Sequence, residues 1–132
     1  MNGEGVGAGW VGLSEPECRQ LLQRATLGHL ATTNRSLPVV VPVAIRSGGS
    51  DLLLAPLVAG VAMPPLQETV VALSVSNLSV APMGAGRGWS VHCQGMLVHA
   101  PRQASPECCR FVAQIIAGWR IPQGYEPLRA AR

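Results

Sequence analysis

Several residue types are absent or scarce in this chain, and each absence narrows its function. Lysine is absent, so the formal net charge of +3 comes from ten arginines spread singly along 132 residues. Arginines without interleaved aromatic residues do not form a nucleic-acid-binding stripe, so we expect no nucleic-acid partner. Charged residues make up only 13% of the chain, which favours burial of some surface in an oligomer.

Metal-ligand patterns and long apolar runs are also scarce. The four cysteines include no CxxC pair and fit no zinc site, which predicts free thiols in a reducing cytoplasm. His92 and His99 lie at odd spacing on one predicted strand, so they point to opposite faces and share no metal. No apolar stretch free of proline and charge reaches membrane-spanning length, and we expect no membrane partner.

The sequence does not predict the catalytic residues of a hydrolase either. The seven carboxylates lie mostly in the N-terminal leader, helix caps and tail, which argues against a Ser–His–acid set or a carboxylate pair. With only three Trp, one Tyr and one Phe, the core must consist of Val, Leu, Ile and Ala. One domain is expected, with a flexible leader at residues 1–12, a folded part at 13–118 and a tail at 119–132.

The pattern that follows the leader predicts a helix. Ser14 and Glu17 form a capping-box pair, and Pro16 occupies the first turn, where its missing N–H costs nothing. Apolar residues then repeat at helical spacing until Gly28, which is expected to end the helix.

After Gly28 the apolar period becomes that of β-strands. Strands are predicted at residues 29–33, 38–46, 51–57, 69–77 and 89–99. Pro42, inside the second strand, predicts a sheet edge or a bulge. Residues 84–88 form a glycine-rich connection, which we interpret as flexible in preference to a ligand loop. A second helix is predicted after residues 105–107, with an apolar face at Cys109, Val112, Ala113 and Ile116 and its end at Gly118.

One segment of this pattern resembles a known family. Residues 88–95, Gly-Trp-Ser-Val-His-Cys-Gln-Gly, resemble the last long strand of the pyridoxamine-phosphate-oxidase-like, FMN-binding split-barrel family, which is common in actinobacteria. Residues 13–22 resemble its opening helix, residues 28–32 its first strand, and residues 38–43 its second strand, including the internal proline. The resemblance covers about residues 13–100.

The resemblance implies a mainly β (α+β) fold, a six-stranded antiparallel Greek-key split barrel with two flanking helices. It also implies a homodimer that binds FMN, or in some branches a deazaflavin, in a groove between subunits, with the ring along residues 41–45. The activity implied is that of an oxidoreductase acting on a small organic substrate, and no catalytic side chain is assigned. The candidate cofactor-binding residues, from the resemblance and from the polar and aromatic residues nearest to it, are Val41, Pro42, Val43, Ala44, Arg46, Leu57, Ala62, Arg87, Trp89 and Ser90.

The phosphate-binding positions depart from the family pattern. The family places an Arg-Thr pair and then Gly-Thr-Lys at positions that here hold Pro56, Leu57, Gly60, Val61 and Ala62. Each lost charged hydrogen bond costs about 1–3 kcal/mol, so the phosphate would be poorly paired unless other groups replace them. Arg46, Arg87 and Ser90 are the nearest candidates, although both arginines fit solvated loops equally well. Trp89 would either stack on a flat ligand or anchor the core or the dimer interface.

Three functions therefore stay open on the sequence alone. The first is a flavin- or deazaflavin-dependent oxidoreductase. The second is a split barrel without flavin, whose apolar groove binds a small molecule or serves a cofactor-free enzyme. The third is a structural subunit paired with a sibling that retains the missing phosphate-binding residues.

Overall fold

The computed structural model describes residues 11–57, 70–80, 86–99 and 108–125. Its elements, in chain order, are β1 (Val11–Gly12), α1 (Glu15–Arg24), β2 (Leu27–Asn34), β3 (Leu37–Gly48), β4 (Asp51–Pro56), β5 (Val70–Ser76), β6 (Ser79–Val80), β7 (Gly86–His99) and β8 (Cys109–Tyr125).

Six antiparallel strands close into a barrel. They follow the order β8-β4-β3-β2-β5-β7, and the pairing of β7 with β8 completes the ring. The two-residue strands β1 and β6 add to its margins. Strand β5 returns beside β2, the first strand of the β2-β3-β4 meander, which is a Greek-key connection. The predicted six-stranded, mainly antiparallel barrel is confirmed.

Alternation along the strands fills the barrel interior with aliphatic side chains. Inward residues are fully buried while their neighbours face outward, as the period of two requires. The largest of these core side chains are Phe111, Leu30, Leu54, Leu73, Leu97, Val43, Val71 and Val91. Phe111 is the one aromatic residue in this set, and the others are branched aliphatic residues, as the composition predicts.

Helix α1 covers one end of the barrel and begins where the capping pattern places it. The Glu17 backbone N–H donates to Ser14 Oγ at 3.3 Å, and the Ser14 N–H donates to Glu17 Oε1 at 3.0 Å. Cys18 and Leu22 enter the core. The helix ends at Arg24, not at Gly28 as predicted. No helix of the described segments is long and apolar enough to cross a membrane.

Gly28 instead lies inside β2, where the space for a side chain is small. A Cβ at this position would lie 2.8 Å from a terminal methyl of Ile45 and 3.0 Å from the Ser74 carbonyl oxygen. Glycine is therefore required for close packing rather than for stopping the helix.

The predicted second helix is wrong, because residues 109–125 form the long strand β8. The strand passes Gly118, so residues 119–125, assigned above to the tail, belong to the barrel. Its pairing with β7 shifts register opposite Gln94 and Gly95, which is the mark of a β-bulge. A Cβ on Gly95 would lie 2.0 Å from the Val112 carbonyl oxygen, so the two strands can approach this closely only at a glycine. The residues proposed as the cap, 105–107, lie outside the described segments.

Pro42 sits at the end of the β3–β4 pairing in the described part of the chain. Strand β3 pairs with β4 from Val43 onward, and the Leu57 N–H donates to the Pro42 carbonyl oxygen at 3.2 Å. The nitrogen and the carbonyl of one residue face the same side of a strand, so the proline nitrogen faces the side where β4 ends. In the described residues Pro42 thus lies at the end of the β3–β4 pairing, where its missing N–H costs no ladder hydrogen bond to β4.

Candidate functional site

Strands β3 and β4 form the floor of a groove on the outer surface of the barrel. Ala44 pairs with Ala55, and Arg46 pairs with Leu53. These side chains face outward, because their neighbours Ile45 and Leu54 are buried in the core. The groove encloses about 230 Å³, and Cys108 lies at its rim. Two small alanines opposite each other leave the strand surface accessible to a flat ligand.

The charge at this groove comes from Arg46. It is the one charged residue among the described residues that line the groove. Arg110 lies beyond Leu53 on β8, but its Nε is 3.5 Å from Asp51 Oδ2, so the carboxylate offsets its charge. The Nε of Arg110 is buried and makes no hydrogen bond, so its 3.5 Å contact with Asp51 is an ion pair without a hydrogen bond at this atom. The groove therefore offers an apolar floor with a guanidinium at one end.

The buried cysteines do not supply a nucleophile. Burial raises the pKa of the Cys93 thiol to about 11, and burial also raises the pKa of Cys18 and of Cys109. All three remain protonated at neutral pH and pack as small apolar side chains. No group of three or more His, Cys, Asp or Glu residues in the described part of the chain could hold a metal ion.

A second outward surface extends from β3 across β2, β5 and β7 to β8. Its residues are joined by strand pairing into rows that cross the sheet. None of the residues in these rows is Arg, Asp or Glu, so we call the surface that they form the uncharged face. Its rows are Val40-Ala31-Ala72-Gln94-Ile115, Pro42-His29-Ser74-His92-Ala117, Ser76-Ser90-Trp119 and Val70-Met96-Val112.

Large apolar side chains on the uncharged face are open to solvent. Val40, Val70 and Ile115 are 61%, 62% and 60% exposed. A barrel surface that faced only water would carry polar or charged side chains at such positions. The face therefore has the character of a surface that another molecule covers.

A polar pair interrupts this face at its β7 side. Ser90 Oγ and His92 Nε2 are 2.8 Å apart, and Ser90 is almost fully buried. The His92 ring lies against the Trp119 ring, with centroids 5.6 Å apart and planes tilted by 54°. These contacts fix the imidazole in position and leave its Nδ1 outside the hydrogen bond to Ser90.

The sequence matches the family model for pyridoxamine 5'-phosphate oxidase over residues 14–131. This match covers nearly the whole chain. The chain belongs to the pyridoxamine 5'-phosphate oxidase family. No functionally curated protein matches its sequence significantly.

Solved structures show the same fold. An FAD-binding protein from Mycobacterium smegmatis is similar with a TM-score of 0.64 and 22% identity, covering 85% of this chain and 98% of that one. An FAD-binding protein from Mesorhizobium loti is similar with a TM-score of 0.62 and 16% identity, covering 84% of this chain and 96% of that one. An FAD- and heme-binding protein from M. smegmatis has a TM-score of 0.59 and 16% identity, covering 89% of this chain and 78% of that one. The split-barrel fold of this family member is thereby confirmed.

Four of the residues that the family resemblance implied lie together in this pyridoxamine 5'-phosphate oxidase family member. Ala44 and Arg46 line the groove, and Pro42 pairs across the sheet with His29. Leu57 is 49% exposed and is hydrogen-bonded to Pro42 at the end of β4. These four residues form a strip along the two strands.

The other implied residues do not join this strip. Val41 and Val43 are buried in the core, so only their backbone could contact a ligand in this family member. Trp89 packs against the core beside α1. Ser90 lies on the uncharged face. Arg87 belongs to β7, but its side chain is outside the description, as is the whole of Ala62.

The sequence reasoning missed the contribution of β4. Leu53 and Ala55 line the groove beside β3, and Cys108 closes its rim. A signal was present: a short hairpin at residues 47–50 fixes the register, so alternate residues of the next strand must face the same side as Ala44.

Proposed function

We propose that this chain binds FMN in the β3–β4 groove and acts as a homodimeric oxidoreductase on a small organic substrate. The observation that carries the proposal is the position of the groove. Residues 44–46 of β3 line it, and they overlap the segment 41–45 on which the family resemblance places the flavin ring. The FAD-binding proteins with the same fold support a flavin as the ligand.

The groove residues fit a flavin ring better than they fit its phosphate. Ala44, Leu53 and Ala55 present apolar atoms to a flat surface, and Arg46 supplies one positive charge. When bound, the flavin supplies the hydride or electron transfer, and the protein positions the ring and excludes water from one side. With one guanidinium at the described groove, most of the binding free energy must come from the ring.

The homodimer part of the proposal rests on the uncharged face. This face adjoins the groove, because Leu27 pairs with Ala44 and His29 pairs with Pro42. A second copy that covered the exposed Val40 and Ile115 would thus stand beside the groove and form its missing wall. Burial of large apolar side chains at about 25 cal/mol per Å² provides the driving force.

The absorbance spectrum of protein purified without added cofactor tests the flavin assignment, followed by titration with FMN and riboflavin. We expect flavin absorbance or micromolar uptake of FMN, with riboflavin binding within about tenfold, since one charged hydrogen bond contributes about 1–3 kcal/mol. Ala55→Leu, which fills the groove, should reduce FMN affinity at least about thirtyfold, while Ala55→Ser should retain it. Equal FMN binding by both variants would refute the groove assignment.

A second candidate function follows from the apolar lining itself. With Ala44, Leu53, Ala55 and Cys108 around the groove, an apolar metabolite without phosphate would also fit. A colourless protein that ignores FMN and riboflavin, yet gains thermal stability with apolar small molecules in an Ala55-dependent way, would establish this function in place of flavin binding.

A further inference from the structure

A second cavity lies between α1 and the strands β7 and β8. It encloses about 160 Å³. Glu17, Gln20, Leu21 and Arg24 face it, at the i, i+3, i+4 and i+7 positions that form one side of a helix. Trp89 and Arg120, which pair across β7 and β8, form the opposite wall.

The arginines of this cavity have no close carboxylate partner. Among the described residues the ion pairs within 4.0 Å are Arg19 with Glu15 and Arg110 with Asp51. Glu17 attracts Arg120 at longer range. Its carboxylate is occupied by the Ser14 N–H, which holds the pKa of Glu17 below its usual value. The cavity therefore carries two guanidinium groups against one carboxylate, a net positive charge.

The remaining wall is apolar and flat. Trp89 is partly buried and packs against the core, and Leu21 lies across from it on α1. An apolar cavity of about 150 Å³ accommodates one benzene ring. Guanidinium groups bind carboxylates through paired N–H donors with matching geometry. A ring-sized space beside an indole and next to two arginines thus matches a small planar anion.

We propose that this cavity, which we call the arginine pocket, binds a small aromatic carboxylate. Its ring lies against Trp89 and its carboxylate accepts hydrogen bonds from Arg120 and Arg24. The arginine pocket is separate from the β3–β4 groove, and no residue lines both. Ligand binding here therefore stands or falls independently of flavin binding.

Benzoate is the probe, and the indole N–H signals of the full-length protein provide the readout. The three tryptophan signals are assigned with Trp89→Phe and Trp119→Phe. We expect saturable benzoate shifts of the Trp89 signal and no shift at Trp119. Neutral benzamide should bind at least about tenfold more weakly, because it cannot form the charged hydrogen bonds. Ala55→Leu should leave benzoate binding unchanged.

Arginine substitutions then test which guanidinium groups bind the benzoate carboxylate. Arg120→Gln should weaken benzoate binding about tenfold and Arg24→Gln about threefold, whereas Arg35→Gln, in the exposed β2–β3 turn, should change it less than about twofold. Equal affinity for benzoate and benzamide in the wild-type protein would overturn the proposal without any variant. An absent Trp89 shift, or full affinity in a folded Arg120→Gln variant, would also overturn it.

Discussion

The uncharged face and the α1 end of the barrel differ sharply in the side chains that they show to solvent. The α1 end carries Glu15, Arg19, Arg24 and Arg120, and the helix turns its apolar residues Cys18 and Leu22 inward to the core. The uncharged face exposes Val40 and other large apolar side chains without one arginine or carboxylate. Two surfaces of one small domain thus follow opposite rules, which teaches that the side chains of one suit water and those of the other have the composition of an interaction surface.

The largest effect should come from placing a charge on the uncharged face. Ile115→Arg should weaken self-association at least about a hundredfold, because an unpaired guanidinium would be buried between copies. Sedimentation velocity over a range of concentrations measures this. Val11→Arg is the matched control, since Val11 is also exposed but pairs with Arg120 on the charged side. A dimer that tolerates Ile115→Arg as well as Val11→Arg would remove the contrast between the surfaces.

The next largest effect concerns the packing of α1, which carries most of the charged residues of this end, against the barrel core. Leu22 is 4% exposed and carries α1 into the core, so Leu22→Ala should lower the free energy of unfolding by about 2–4 kcal/mol. Gln20→Ala, on the exposed side of the same helix, should change it by less than about 0.5 kcal/mol. Urea unfolding followed by circular dichroism compares the two. Equal losses would show that α1 contributes through helix formation and not through packing.

A smaller effect is expected at the polar pair on the uncharged face. Ser90→Ala removes the hydroxyl bonded to His92 and should cost about 1 kcal/mol of stability, since a buried hydrogen bond has that net worth. Ser76→Ala, at the exposed residue paired with Ser90, should be nearly neutral. Thermal unfolding of the two variants provides the comparison. If Ser76→Ala costs more, the Ser90–His92 pair does not support this surface.

The smallest effect belongs to the capping box at the charged end. The Ser14 N–H lowers the pKa of Glu17 in the folded protein below 4.5. The folded state therefore binds this proton less readily than the unfolded state, so the stabilisation is present above pH 4.5 and is lost as the pH falls through the folded pKa. The difference in Tm between the wild type and Glu17→Gln should shrink between about pH 5 and pH 3. A difference that stayed constant over this range would contradict the assignment.

Local signals in the sequence predicted much of the fold. The capping pair Ser14 and Glu17 predicted where α1 begins, and alternation predicted the strands and their turns. Each of these features depends on a few neighbouring residues, so it can be read without knowledge of the tertiary structure. The sequence interpretation took Gly28 as the residue that ends α1. The glycine instead serves its close contact with Ile45 inside β2, and this contact exists only in the folded barrel, so the earlier end of α1 could not be predicted.

The missed strand β8 shows how a bulge imitates a helix. Cys109, Ala113 and Ile116 all face the core, at spacings of four and three that are typical of helices. In β8 the spacing of four is two strand periods, and the spacing of three is one period plus the residue added by the bulge near Gly95. Phe111, buried between Cys109 and Ala113, keeps the strand period of two up to the bulge. The bulge itself is set by the partner strand, so the sequence of β8 alone does not show it.

The candidate site was predictable only in part. The resemblance identified Pro42, Ala44, Arg46 and Leu57, which do lie along one strip. It placed the ring along the backbone of residues 41–45, so Val41 and Val43 were included although their side chains are buried. The uncharged face could not be seen at all, because its rows join residues from five strands that are distant in sequence.

The position of Pro42 has a consequence for the behaviour of the chain in concentrated solution. Among the described residues β4 pairs with β3 only from Val43 onward, which leaves this side of the earlier half of β3 open within the described part of the chain. A valine-rich backbone with such an open side is the kind of template that recruits strands from other molecules into aggregates. Pro38 and Pro42 both turn their nitrogens toward this open side, and Val40 alone offers an N–H between them. A strand added along this side would find one donor where it needs three, so we expect the two prolines to oppose such pairing.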